Sequence, residues 1–123
     1  MAHLENRVAE IVKRHELTGV LVSRPDGSDL LKGGDLERIR ASGLFQALFG
    51  GALERQTLAA SLQGGMLPQI WSQDDIDCFV SVTDKGCIVG AFITRCPDPV
   101  ALYRLSKAIM ADLLEALSGE TGE

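Results

Sequence analysis

Aromatic side chains are scarce in this chain of 123 residues, which has four Phe, one Tyr and one Trp, so its core must be mainly aliphatic. Histidine is rarer still. His3 and His15 are the only two, and along a helix rising 1.5 Å per residue they would stand roughly 18 Å apart, too far to share a metal. Runs of positive charge are missing as well. None is longer than Lys13-Arg14, and the net charge is −5, a balance that argues against nucleic acid as a partner. No apolar run approaches the roughly 18 to 20 residues of a membrane span, so membrane insertion is not expected. The 13 glycines form neither GxGxxG nor GxxxxGK(S/T), which argues against nucleotide cradling by this chain itself.

Cysteine is limited to Cys78, Cys87 and Cys96, an odd set at nine-residue intervals that fits no zinc spacing. Two of them sit in apolar strand patterns, where Cys behaves as a small buried hydrophobe. Reduced thiols and a polar opening unlike a signal peptide lead to the expectation of a cytoplasmic protein. The hydrophobic fraction of 46% excludes wholesale disorder. The length suits one domain, expected over residues 1–119 with a polar tail at 120–123.

The patterning runs helix, two strands, long helix, three strands, helix. Leu4, Val8, Ile11, Val12 and His15 fall on one helical face within residues 3–15. The stretch Leu17–Ser23 reads as a strand, Pro25-Asp26-Gly27 as a turn, and Ser28–Lys32 as a weaker strand ended by Gly33-Gly34. Asp35 is an N-cap with Glu37 in the first turn, and apolar positions from Leu36 to Leu62 follow without a proline. Gly43 and Gly50-Gly51 interrupt them. The segment is either kinked or divided there, and one long imperfect helix closed by Gly64-Gly65 is the reading adopted.

Three strands are expected next, over Met66–Ser72, Ile76–Thr83 and Cys87–Thr94, with acidic turns between them. Pro68 cannot donate to a ladder, so the first of the three belongs at an edge or is regular only from Gln69. The last is an almost unbroken apolar run and should be central, covered on both faces. Asp98-Pro99 then opens a helix whose stripe is Leu102, Leu105, Ile109, Leu113, Ala116 and Leu117.

Few of these residues offer chemistry. Asp74, Asp75, Asp77 and Asp84 read as turn acids at a solvated sheet end, without the spacing of a calcium loop. His15 reads as a charge at a helix C-terminus or as amphipathic cover, with no nucleophile beside it. Cys96 lies near a helix start, where a thiolate is favoured, but the pattern supplies no histidine for it. No catalytic residue, metal or cofactor is therefore expected.

Leu17-Thr-Gly-Val-Leu-Val-Ser with Pro25-Asp-Gly27, the pair of strands around Phe79-Val-Ser-Val-Thr-Asp-Lys-Gly-Cys-Ile-Val-Gly-Ala-Phe92, and the helix from Val100 to Leu117 resemble the roadblock-type dynein light-chain superfamily, whose fold is profilin-like. The resemblance implies an α+β fold in the order α-β-β-α-β-β-β-α. Its five-stranded antiparallel sheet would have the order 2-1-5-4-3, with the first and last helices on one face and the central helix on the other. It further implies a homodimer that binds a Ras-like small GTPase as a non-catalytic scaffold or regulator. The dimer surface implied is Leu44, Ala47, Leu48, Gly51 and Leu58 of the central helix with Gln69, Ile70 and Trp71 of the third strand. Leu48 and Leu58 would equally suit a face turned to the chain's own sheet. No exposed arginine stands out as a finger for the GTPase, Arg24 and Arg55 being the only two considered. A second reading is a small-molecule sensor of profilin or PAS-like type, with a cavity lined by Phe45, Phe49 and Phe79.

Overall fold

The computed structural model describes residues 2–63, 68–73, 75–83 and 85–121. Helix α1 (Ala2–Arg14) buries Leu4, Val8 and Ile11. It stops where Glu16 takes φ 54°, with Leu17 N donating to Val12 O at 2.9 Å and Glu16 N to Lys13 O at 3.3 Å. That pair of bonds is a Schellman closure, with Glu in the position glycine usually takes.

Strands β1 (Gly19–Ser23) and β2 (Asp29–Gly34) form a hairpin. At its turn Asp26 Oδ1 accepts from Ser28 N at 2.8 Å, and Gly27 has φ 92°. Gly33 and Gly34, expected to end β2, lie inside it and pair with Val20 and Gly19. The reason is close approach. Gly34 has φ 88°, and a Cβ there would sit 2.5 Å from both Gly19 Cα and Thr18 O.

The expected long central helix is three helices, α2 (Leu36–Ala41), α3 (Gly43–Phe49) and α4 (Ala52–Leu62). Asp35 caps α2 as expected, accepting from Arg38 N at 3.1 Å. Ser42 then turns extended and its hydroxyl accepts from Phe45 N at 3.1 Å, ending one helix and starting the next. Gly51, extended at φ −157° and ψ 179°, makes the second break. The closure expected of Gly64-Gly65 lies outside the described residues, as do Met66, Leu67, Asp74 and Asp84.

Strands β3 (Gln69–Gln73), β4 (Ile76–Val82) and β5 (Ile88–Thr94) follow, and then α5 (Pro99–Thr121). Asp98 Oδ1 accepts from Val100 N at 3.0 Å, and the helix runs beyond Leu117, where its apolar stripe ends, to Thr121. All five strands are antiparallel, in the order β2-β1-β5-β4-β3. Helices α1 and α5 cover Val20, Val22, Phe79, Val89, Ala91 and Ile93 on one face. Helices α2, α3 and α4 cover Leu21, Cys78, Val80, Ile88 and Phe92 on the other. Every residue of β5 from Ile88 to Ile93 is buried, and β3 is an edge regular from Gln69, as read from the sequence.

At the sheet's centre Phe49 presses on Gly90, where a Cβ would come within 2.8 Å of the ring. Phe49 is itself buried between Phe45 and Phe92, so it has little room to yield. Gly90→Ala is expected to lower stability by about 1 to 3 kcal/mol through overpacking, measured by urea unfolding. Adding Phe49→Leu should recover part of that loss.

Candidate functional site: an open strand edge and an apolar groove

The sheet has two edges and they differ. On β2 the ladder is irregular between Val22 and Ser23, Lys32 and Asp29 pair at 3.2 Å on the strand, and α1 packs beside it. These features blunt an edge against pairing. On β3 the register to β4 is unbroken from Gln69 to Gln73, the five residues include no charge and no proline, and four of them are exposed. Alternate N–H and C=O groups of β3 therefore point outward, ready for another strand.

Beside this edge lies an apolar groove of about 480 Å³. Ala47 and Leu48 of α3 form one part of it, and Leu53, Glu54, Thr57, Leu58 and Ser61 of α4 another. Gln69 and Trp71 close it from the strand. Gln69 Nε2 donates to Ser61 O at 3.2 Å, and its Oε1 accepts from Trp71 Nε1 at 3.1 Å, so the indole is held in place before anything binds. Leu53 is 70% exposed and Trp71 40%, large apolar surfaces left to solvent.

The residues expected at an interface divide. Ala47, Leu48, Leu58, Gln69 and Trp71 come together at the groove. Leu44, Leu48 and Leu58 are nonetheless buried against the chain's own sheet, and Gly51 is the half-buried joint between α3 and α4. Ile70 stands opposite Phe79, whereas Trp71 stands opposite Cys78, so Ile70 projects from the α5 side of the sheet and not into the groove. The sequence reading left Leu53, Thr57 and Ser61 out of the interface. Their i, i+4, i+8 spacing marks one helical face, but only one of the three is apolar.

The considered arginines are both engaged. Arg55 is a polar hub. Its Nη1 donates to Ser23 Oγ at 3.1 Å, to Asp29 Oδ1 at 2.9 Å and to Gly27 O, and its Nε donates to Phe49 O at 3.1 Å. Arg24 Nη1 reaches Asp29 O at 2.9 Å within its own hairpin. Burial works against ionisation of Asp29, but hydrogen bonds from Lys32 and Arg55 outweigh it and hold the carboxyl below its usual range.

Asp77, read as a solvated turn acid, is instead fully buried inside β4. It accepts from Ser72 Oγ and, at 2.8 Å, from Cys96 N, tying the β5–α5 connection to the sheet. Asp75 is exposed, with Arg38 at 3.0 Å. His15 and Cys96 line one cleft of about 310 Å³, a proximity the sequence did not reveal. His15 Nε2 is 2.7 Å from Asp112 Oδ2, and the Cys96 thiol faces Asp98 O at 3.8 Å. Burial pushes the Cys78 thiol well up. Among the described residues no group of three or more His, Cys, Asp or Glu could hold a metal ion, and no helix is long and apolar enough to cross a membrane. The three phenylalanines of the sensor reading do not converge, since Phe79 faces α1 and α5 while Phe45 and Phe49 lie across the sheet.

No family model matches the sequence, and no curated protein matches it. Solved structures do. Myxococcus xanthus MglB superposes with a TM-score of 0.64 at 12% identity, covering 97% of this chain and 98% of that one. A Roadblock/LC7 domain from Streptomyces avermitilis gives 0.59 at 19% identity, covering 97% and 98%. The fold is of the roadblock type. An MglB solved in a tetrameric arrangement gives 0.50 at 17% identity, covering 93% of each chain.

Asp29 ties α4 to the β1–β2 hairpin through Arg55, and Asp112 ties α5 to the end of α1 through His15 and Arg14, its carboxyl lowered chiefly by the hydrogen bond from His15. Both groups have folded-state values below the unfolded one. Their stabilisation is therefore complete well above an unfolded pKa of about 3.9 and is lost as pH falls through the folded values. Unfolding free energy from urea titrations should be insensitive to these groups above about pH 5 and fall below about pH 4. Asp29→Asn should flatten part of that acid limb.

Proposed function

We propose that this chain is a non-catalytic, cytoplasmic scaffold or regulator that works as a homodimer and binds a Ras-like small GTPase. The observation that carries the dimer is the unblunted β3 edge with Trp71 beside an apolar groove. A strand edge supplies main-chain hydrogen bonds, and the adjacent aromatic supplies a buried anchor, the combination found where a chain pairs with another. A second copy presents the same two features, so a two-fold axis at the edge would satisfy both at once. The likeness to MglB, one example of which was solved in a tetrameric arrangement, supports self-association.

The GTPase partner rests on the roadblock resemblance, since a shared fold alone does not carry function. The engagement of Arg55 bears on the mode of action. Its side chain is 14% exposed and committed to four acceptors, so it is not free to steady charge on a transferring phosphoryl group. Arg24 is likewise bonded to its own turn. This favours holding or reshaping a GTPase over donating an arginine to it.

Light scattering at micromolar concentration should give about twice 13.2 kDa, and Trp71→Arg should shift the population to monomer with its circular dichroism unchanged. A wild-type protein that stays monomeric would overturn the dimer. For the partner, small GTPases from the same genome, loaded with GDP or a GTP analogue, should be captured by the wild-type dimer. Capture of none in either state would overturn that half alone.

A further inference from the structure

Arg55 stands on α4 but does not line the groove. From its position the helix turns about 100° per residue, which places it near Leu62 on the sheet-facing side and away from Leu53, Thr57 and Ser61. Helix α4 has few other anchors. Its N-cap is Gly51 with no side-chain cap bond, and its buried residues are Leu58 and Leu62. The guanidinium grips three separate segments, namely the C-terminal carbonyl of α3 at Phe49, the hairpin turn at Gly27, and the facing strand ends at Ser23 and Asp29.

We infer that Arg55 is the positioning residue of the groove. By bonding Phe49 O across the Gly50-Gly51 joint, it fixes the angle between α3 and α4, and so the spacing between Ala47 and Leu48 on one side and Leu53 and Thr57 on the other. By bonding Gly27, Ser23 and Asp29, it registers that joint against the sheet whose far edge carries Trp71. The groove and the β3 edge are thereby held in one fixed relation, and the β1–β2 turn, remote from the groove, shares in setting it. Two separated donor atoms are required, because Nη1 serves Ser23, Gly27 and Asp29 while Nε serves Phe49, and an ammonium placed at the first three has no second nitrogen to reach the Phe49 carbonyl. The inference deepens the dimer reading and rests on it for its functional meaning.

The test uses the full chain with Arg55→Lys, Arg55→Met and Asp29→Asn, each studied below its unfolding temperature. Trp71 is the chain's sole tryptophan, so its emission and its quenching by acrylamide report the groove directly. Sedimentation should show dimer dissociation constants raised about tenfold or more for Arg55→Lys and Arg55→Met, and less for Asp29→Asn, which keeps an acceptor oxygen. Trp71 quenching should rise in the same order at concentrations where each variant is monomeric. A lowered melting temperature with wild-type dissociation constant and wild-type quenching would make Arg55 merely structural and overturn the inference. Should the wild type itself prove monomeric, the dimer reading fails, and quenching in the monomer still decides: unchanged values in all three variants overturn the positioning role. If Arg55→Met does not fold, Arg55→Lys and Asp29→Asn carry the same comparison.

Discussion

Strand β5 is covered on both faces, and the remaining architecture follows from what that demands. Each side chain from Ile88 to Ile93 must meet a packed layer, so the chain has to supply helices above and below the sheet. Helices α1 and α5 meet Val89, Ala91 and Ile93, and α2 to α4 meet Ile88 and Phe92. Gly90 is the compromise between the two layers. It leaves space for Phe49, the largest fully buried side chain of the central helices, to reach the sheet itself. With β5 in the middle, β1 and β4 become its neighbours, and β2 and β3 are left as edges. An edge must then be blunted, covered or used.

The sheet order was legible through the roadblock resemblance, and residue patterns agreed with it at particular strands. The apolar run of β5 pointed to a central position, Pro68 to an edge or to a strand regular only from Gln69, and Asp35 and Asp98 marked helix starts that their carboxylates do cap. The central helix was misread because its apolar spacing persists through two breaks. Ser42 ends α2 by offering its hydroxyl to the backbone, a choice that a serine within a helical pattern does not advertise. Gly33-Gly34 looked like a stop and is a close approach between strands, and nothing local distinguishes the two.

The groove and the open edge were legible in outline, and less so residue by residue. Trp71 and Gln69 stand on the edge strand beside the groove, Leu48 and Leu58 line the groove while packing into the chain's own core, and Leu44 serves that core alone. Helical spacing alone cannot tell an inward leucine from an outward one when the helix is divided into short pieces with different roll. Asp77 was misjudged, and the structural role of Arg55 was not visible, for a related reason. Their types favour solvent, and their burial is made tolerable in large part by partners far away in sequence, Cys96 for one and Ser23, Gly27 and Asp29 for the other.

Ile70 and Trp71 are neighbours in sequence and project from opposite faces of β3, a consequence of the two-residue period of a strand. At first sight this removes Ile70, 37% exposed, from any interface built on the groove. For an interface built on the edge it does the reverse. If two β3 strands pair antiparallel, the sheet continues across the join, and both of its faces need apolar cover there. Trp71 supplies it on the side of α3 and α4, and Ile70 on the side of α5. A partner that merely filled the groove would bury Trp71 and leave Ile70 in water. The exposure of both residues on the one unblunted edge is therefore better matched by strand pairing than by groove filling alone, and the relation inferred for Arg55 between groove and sheet would let one partner engage the two together.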